Sequence, residues 1–274
     1  MVCCSEVVLA QDNFTLKPGL AMTQRWIAVG VGFAFVIGVA PYLAADGGAA
    51  KDATRVAQQP ATPATQPATA NNKHEPGKIA DLQPRDPRAD PKLIDLSRYY
   101  TLGLSEDASG ALGYTLDLLP RGVQQLGKTQ YDLRGIVQVS SREFVAIKKD
   151  FPASVRGIKV GVTCRTLSFL HASRWTDDEG AQIGTYLIHY ANGQIREMPI
   201  RFGIELRDWK PQHDPGANAI GPPIAWRAAD RHGAETMLFE TEWTNPIPDV
   251  RIATIDMVST MADAAPFLVA VTAQ

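Results

Sequence analysis

The stretch Gly184-Thr-Tyr-Leu-Ile-His-Tyr-Ala-Asn-Gly-Gln-Ile-Arg-Glu-Met-Pro-Ile-Arg-Phe-Gly-Ile-Glu-Leu-Arg207 has the pattern of a β-hairpin. Asn192-Gly193 lies between two runs that favour strands, and Asn-Gly suits a type I′ turn because both central residues need a positive φ. In the second arm, apolar residues alternate with polar residues or glycine. This period of two predicts a strand with one face on a core and the other in water. The apolar set is Ile200, Phe202, Ile204 and Leu206.

The composition sets broad limits on the class of protein. The chain has 274 residues, 45% of them hydrophobic, and a formal net charge of −2. A substantial core is therefore expected, and the absence of a strong positive charge argues against nucleic acid as a partner. Cys3 and Cys4 are adjacent and Cys164 stands alone. We predict that the fold does not depend on disulfides and that Cys164 is a small buried hydrophobe.

Residues 26–45 form an uncharged apolar run with Trp26 and Tyr42 near its ends. A helix of this length reaches about 30 Å, the thickness of a bilayer core, and aromatic residues favour the two interfaces. We interpret the run as a transmembrane anchor, with a cleaved signal peptide as the alternative. The large C-terminal part favours an extracytoplasmic position for that part. Residues 1–25 are a short N-terminal segment in which Met22 is a candidate start.

Residues 46–91 are rich in proline, alanine and threonine and contain no aromatic residue. Such a composition cannot bury enough apolar surface to offset chain entropy, so we predict a disordered linker with extended, partly polyproline structure. The folded domain is then expected to span residues 92–274.

Residues 92–274 contain many short alternating segments, with Gly/Pro turns between them and no long amphipathic helix. This pattern predicts an all-β fold, a β-sandwich or jelly roll, with roughly eight to ten strands. Besides the hairpin, the predicted strands are Asp132–Val139, Phe144–Ile147, Val155–Val162, Thr166–Ala172, Glu235–Trp243, Arg251–Val258 and Phe267–Thr272.

The sequence offers little sign of catalytic or metal chemistry. It contains no G-x-S-x-G, H-E-x-x-H or C-x-x-C motif. His171 and His189 alternate with apolar or small residues and are predicted to be core or rim histidines, and no histidine pair has the spacing of zinc ligands. Asp177-Asp-Glu-Gly180 is predicted to be a solvated acidic turn, with a calcium loop as the alternative. We therefore predict no catalytic residues, no metal and no cofactor.

Three tryptophans offer the best candidates for a binding site. Trp175, Trp209 and Trp226 are predicted in or beside turns, and Arg207 and Asp208 precede Trp209. Indole faces combined with a few charged groups suit sugars, because sugar CH groups stack on the ring and hydroxyls need polar partners. These five residues are the predicted ligand contacts. In the competing interpretation, the indoles plug the open ends of the sandwich.

Five segments together suggest a family, namely Ile94–Tyr100, Tyr131–Ile136, Gly184–Pro199, Thr241–Thr260 and Ala265–Thr272. They resemble an uncharacterised β-sandwich domain found behind a membrane segment in planctomycete and verrucomicrobial proteins, sometimes joined to anti-sigma or kinase-like parts. The pattern is also similar to galactose-binding-like jelly rolls that accompany glycosidases. The resemblance covers residues 92–274 and implies a bacterial, membrane-anchored domain, but it supplies no ligand residues.

Taken together, these patterns predict a non-enzymatic binding module of the bacterial cell envelope. Residues 26–45 would tether it to the membrane, or it would be secreted if residues 1–45 are cleaved. Its predicted ligand is a glycan; the alternative is a protein-interaction or scaffolding domain of the envelope, and a glycosidase-type enzyme is least favoured. Glycan binding predicts indoles exposed together in a concave patch, whereas scaffolding predicts buried indoles and an apolar patch elsewhere.

Overall fold

The computed structural model describes residue 79 and residues 81–110, 114–217, 220–229 and 233–274. The predicted N-terminal segment, the anchor or signal sequence and most of the linker lie outside these residues. Within the described ranges, no helix is long and apolar enough to span a membrane. The described end of the predicted linker contacts the domain, since Arg121 donates a hydrogen bond to Asp81 at 2.9 Å.

The described part of the chain consists of twelve strands, one short α-helix and one 3₁₀ turn at Pro211–His213. The strands are β1 (Leu102–Gly103), β2 (Gly122–Leu126), β3 (Thr129–Leu133), β4 (Gly135–Gln138), β5 (Ser154–Lys159), β6 (Thr166–Arg174), β7 (Gln182–Tyr190), β8 (Ile195–Arg201), β9 (Ile224–Ala229), β10 (Glu235–Thr244), β11 (Ile252–Ser259) and β12 (Ala265–Ala273), and the helix is α1 (Arg142–Ala146).

Two large antiparallel sheets organise the domain. One has the order β1-β4-β12-β6-β10-β9 and the other β5-β11-β7-β8. They face each other across a shared core, where Phe169 of β6 stacks on Tyr186 of β7 with ring centroids 4.3 Å apart. The β2–β3 hairpin covers the opposite face of the larger sheet, and there Thr272 donates to the carbonyl of Gln130 at 2.6 Å. The fold is thus all-β, in an arrangement consistent with a β-sandwich.

The centre of the larger sheet is buried on both faces. Every residue of β12 is buried, and in β6 only the first residue is not. His171 of β6 contacts the Tyr186 hydroxyl through Nδ1 at 3.2 Å and the Glu205 carbonyl through Nε2 at 3.1 Å. Burial lowers the pKa of His171 to about 3. The side chain is therefore a neutral core histidine, which confirms the interpretation from the sequence.

The turn of the predicted hairpin differs from type I′. Strands β7 and β8 do pair, but Gly193 has φ +83° whereas Asn192 is not among the described residues with positive φ. The Gly193 N–H donates to the Tyr190 carbonyl at 3.0 Å, and the Tyr190 N–H donates to the Gln194 carbonyl at 2.9 Å. These bonds close a three-residue loop that ends in a left-handed glycine, a common alternative to the two-residue turn.

The predicted alternation stops earlier than expected. β8 ends at Arg201, and Gly203 with φ +80° turns the chain. Ile204, expected to face the core, is 48% exposed, although the apolar residues two positions before and after it are buried. Glu205 instead lies inside, because its carboxylate accepts a hydrogen bond from the Arg201 N–H at 2.7 Å. The alternation of apolar residues ends here because the Glu205 side chain turns inward to accept a hydrogen bond from the backbone.

One of the other strand predictions is wrong, and a second is confirmed only in part. Phe144–Ile147 is not a strand: it largely overlaps α1, whose N-cap Ser141 accepts a hydrogen bond from the Phe144 N–H. Asp132–Val139 is split at Arg134 between β3 and β4, which belong to different sheets. The Arg134 side chain is buried, and it bonds to Asp132 at 3.0 Å and to Asp95 at 2.7 Å. The sequence also missed the short or edge strands β1, β2 and β9.

Candidate functional site

A cavity of about 500 Å³ lies at the C-terminal end of β6. Distant parts of the chain meet there: a loop before β2, the residue that follows α1, the end of β6 and the segment after β8. The described lining has an aromatic part, namely Tyr114, Trp175, Trp209 and His213, and a polar part, namely Ser109, Arg174, Thr176 and Asp208, with Ile147 at its edge.

Backbone hydrogen bonds fix the segment that carries Asp208 and Trp209. The Ser173 N–H donates to the Arg207 carbonyl, and the Trp209 N–H donates to the Ser173 carbonyl, each at 3.0 Å. On the other side, the Met237 N–H donates to the Trp209 carbonyl at 2.8 Å. The segment is therefore held between the end of β6 and the beginning of β10, and the cavity has a wall built on the sheet rather than on a free loop.

Arg174 is the main cation of the cavity wall. It is only 3% exposed, and its guanidinium carbon lies 4.3 Å from the ring centroid of Trp209. Nε donates to Gln138 at 3.1 Å, but Nη2 is buried without a hydrogen-bond partner among the described residues. Burial lowers the pKa of Arg174 to about 10. The group stays cationic at neutral pH while part of its donor capacity is unused.

Asp208 is the carboxylate of the same cavity. It is 1% exposed, and its Oδ1 accepts a hydrogen bond from the Lys210 N–H at 2.9 Å. Burial is the main cause that raises its pKa to about 7, and the charge of Asp214 contributes to the rise. No ion pair within 4.0 Å joins Asp208 to Arg174, although both are described and line one cavity. The two groups thus line one cavity without forming an ion pair with each other.

The two cavity indoles differ in their settings. Trp209 is 2% exposed, and the Arg174 guanidinium lies against its ring. The Tyr114 ring is tilted relative to it, with the ring centroids 6.4 Å apart. Trp209 therefore forms the buried floor of the cavity. Trp175 is only partly buried and meets Phe144 edge-on at 4.8 Å. Its φ is +61°, a strained value for a bulky residue, and such residues cluster at ligand sites. Trp175 is therefore the indole better placed to meet a ligand.

Two of the five predicted contacts lie away from the cavity wall. Arg207 donates to Asp214 through Nε at 2.7 Å and through Nη2 at 3.1 Å, and it also pairs with Glu179. These hydrogen bonds raise its pKa above the ordinary value and leave it a structural role. Trp226 is on β9, where it pairs with Leu238 of β10. It lies within an edge strand, whereas the sequence placed it at a turn.

The structure therefore brings together Trp175, Asp208 and Trp209 and adds residues that sequence reasoning missed. Arg174 had a recognisable signal, because it is a charged residue at the end of a strand that is otherwise apolar or small. Tyr114 and His213 had none: they stack at 5.9 Å although they are far apart in the chain.

One segment matches a phosphate-binding pattern without forming such a site. Gly122-Val-Gln-Gln-Leu-Gly-Lys-Thr129 fits G-x-x-x-x-G-K-[ST]. A functional loop of this kind leads from a strand into a helix, whose N–H groups meet the phosphates. Here the segment is the β2–β3 hairpin, paired antiparallel with Leu126 opposite Thr129. We therefore assign no nucleotide site to it.

Comparison with known proteins leaves the site to be interpreted from its own geometry. No protein-family model, curated protein or solved structure matches the chain at a significant level.

Proposed function

We propose that this chain is a non-enzymatic binding module whose cavity takes a sugar. The observation that carries the proposal is the cavity at the end of β6, where the partly buried Trp175 shares the wall with two polar groups, Arg174 and Asp208. An aromatic wall receives the apolar face of a sugar ring, and paired donors and acceptors receive its hydroxyls. The tether through residues 26–45 and the position in a bacterial cell envelope belong to the same proposal and rest on the apolar run alone.

The strand order supports the finer fold assignment that we propose, a jelly roll similar to galactose-binding-like domains. Taken in chain order from β4 to β7, successive strands alternate between the two sheets, and the inner four of the larger sheet are β4-β12-β6-β10. Together with β5-β11-β7-β8 they have the interleaved order of an eight-stranded jelly roll. Such a fold is compatible with many functions, so the cavity rather than the fold carries the functional proposal.

The charges of the cavity favour binding over hydrolysis. Glycosidases use two carboxyl groups on either side of the bond that is cleaved. Among the described lining residues, Asp208 is the one carboxylate. Glu240 of β10 is outside the described lining, and its carboxylate accepts a hydrogen bond from the Tyr131 hydroxyl at 3.0 Å. The described wall therefore has the aromatic and polar groups that binding requires, but only one of the two carboxylates that hydrolysis requires.

A protein-interaction domain of the cell envelope is the second candidate. Trp209 is buried, as scaffolding predicts for the indoles. Val145 of α1 is 59% exposed, and the exposed Ile147 follows it at the edge of the cavity. An envelope protein that docks on this small apolar surface would explain both observations without a sugar.

A titration with matched tryptophan variants tests the proposal. The full-length protein is titrated calorimetrically against glycans chosen from an array, together with Trp175→Ala and, as the control outside the cavity, Trp226→Ala. We expect saturable binding by the parent and the control, and about tenfold weaker binding by Trp175→Ala, since ring stacking contributes roughly 1 kcal/mol or more. Equal weakening in both variants, or no glycan bound by the parent, would favour the envelope-protein alternative.

A further inference from the structure

The guanidinium of Arg174 has more donors than the described protein satisfies. Its Nη2 is buried and unpartnered, in a residue that is 3% exposed and lines the cavity. A buried donor without an acceptor costs free energy, and a buried charge without a partner costs more. In native structures such a donor is usually satisfied by a hydrogen bond to water, an ion or a ligand. The missing partner is therefore an acceptor, and a negatively charged one compensates best.

The nearby carboxylates do not fill this role. The charges of Asp107 and Asp208 act on Arg174, yet neither forms an ion pair with it among the described residues. In Asp107, Oδ1 accepts a hydrogen bond from the Ser109 N–H at 2.7 Å, and Oδ2 is buried without a hydrogen-bond partner among the described residues. The raised pKa of Asp208 indicates that Arg174 does not hold it firmly ionised. The cation of the cavity thus lacks a close anionic partner.

A second cation lies behind the same wall. The Nζ of Lys210 is 4.8 Å from the ring centroid of Trp209 and donates to Thr236 at 2.7 Å. Arg174 lies 4.3 Å from the same ring centroid. Two cationic side chains therefore lie against one indole at the cavity wall.

We propose that the sugar taken by this cavity is an acidic one, whose carboxylate pairs with Arg174 while a neighbouring hydroxyl donates to Asp208. This inference rests on the proposed sugar-binding function and specifies its ligand class. A guanidinium binds a carboxylate through two parallel hydrogen bonds, which a neutral hydroxyl does not match. The sugar hydroxyl donates to Asp208 and keeps the Asp208 carboxyl apart from the sugar carboxylate. Trp175 stacks on the face of the sugar ring.

The chemistry of a carboxylate beside a hydroxyl has two natural sources. One is a uronic acid residue within a polysaccharide, and the other is a small free hydroxy acid. The cavity volume of about 500 Å³ accepts either. The half-buried Trp175 favours the ring of a saccharide, since a short open-chain acid offers no flat face to stack.

Calorimetry with three probes on the full-length protein separates these cases. The probes are a galacturonic acid trisaccharide, the matching neutral galactose trisaccharide, and gluconate. We expect the acidic trisaccharide to bind at least about tenfold more tightly than the neutral one, because a charge-assisted pair is stronger than a neutral hydrogen bond. In Arg174→Met this preference should disappear, and in Arg174→Lys it should be reduced.

Each outcome has a defined meaning. Equal affinity for the two trisaccharides overturns the acidic ligand while the sugar-binding function stands, and no binding of either overturns that function itself. Gluconate binding as tightly as the acidic trisaccharide assigns the site to free hydroxy acids and overturns the saccharide source. Arg174 packs against Trp209, so Arg174→Met can fail to fold. In that event the comparison of probes on the parent protein decides alone.

Discussion

At the scale of single residues, Asp208 is a carboxyl group placed where its charged form is disfavoured. Burial raises its pKa from an ordinary value near 3.8 to about 7, and the charge of Asp214 adds to the rise. Between these two values the folded protein binds more protons than the unfolded chain. The contribution of Asp208 to stability is therefore fully present below about pH 4 and is lost as the pH rises to about 7.

Asp208→Asn removes this pH dependence. We expect the variant to be more stable than the parent at pH 8 by roughly 2–4 kcal/mol, because the cost of ionising a buried group is gone. The difference should shrink toward zero near pH 4, where the parent is protonated as well. Urea unfolding of both proteins from pH 4 to pH 8 measures it. His171, whose pKa is lowered, acts in the opposite direction but cancels in the comparison. A difference that does not change with pH would contradict the assignment.

The site residues also differ in how readily they can be identified from the sequence. Trp175, Asp208 and Trp209 were identifiable because aromatic and charged residues near turns are unusual enough to be noticed. Arg207 shares those features but lies in a buried ion pair with Asp214. Residue type and position near a turn do not distinguish a side chain that faces a cavity from one that holds the loop together.

At the scale of elements, the segment from Arg207 to Asp214 is a loop closed by its own ends. The Arg207 guanidinium donates two hydrogen bonds to the Asp214 carboxylate, and the two side chains are 3% and 2% exposed. The loop between them carries Asp208, Trp209 and His213 into the cavity. The pair thus acts on the site through position rather than through contact with a ligand.

Breaking the pair should loosen the loop. Arg207→Met leaves Asp214 buried without its cation, and we expect a loss of about 3 kcal/mol in the free energy of unfolding. The exposed pair Arg142–Asp263 is the matched control, and Arg142→Met should lower the free energy of unfolding much less. Urea denaturation of both variants provides the comparison. The double variant Arg207→Met, Asp214→Leu should recover part of the loss. Equal losses for Arg207→Met and Arg142→Met would contradict a stabilising role of the Arg207–Asp214 pair.

Strands were predictable from the sequence where one face or both faces are buried, and short or exposed elements were harder to predict. The alternation of β7, β8 and β10 and the apolar runs of β6 and β12 are strong signals in the printed sequence. Helix α1 was mistaken for a strand because five residues are too few to show a helical period. Strand β9 was missed because an exposed edge strand shows weak alternation.

At the scale of the whole molecule, the all-β fold and the cavity follow from different information. The alternation and turn residues predict an all-β domain, because each strand must bury one face. The cavity depends on which loops the sheet order brings together, as when Tyr114 meets His213. Such proximity has no local signal, which is why the sequence predicted three of the cavity residues but not their arrangement.

The most direct test of the central claim, that the cavity binds a sugar, is a ¹H–¹⁵N spectrum of the tryptophan indoles during a glycan titration. The chain has five tryptophans, and each gives one indole signal. We expect the Trp175 and Trp209 signals to shift and saturate together, while those of Trp226 and Trp243, outside the described cavity wall, stay in place. No shift at Trp175 and Trp209 with a bound glycan, or shifts confined to Trp226, would contradict the cavity as the binding site.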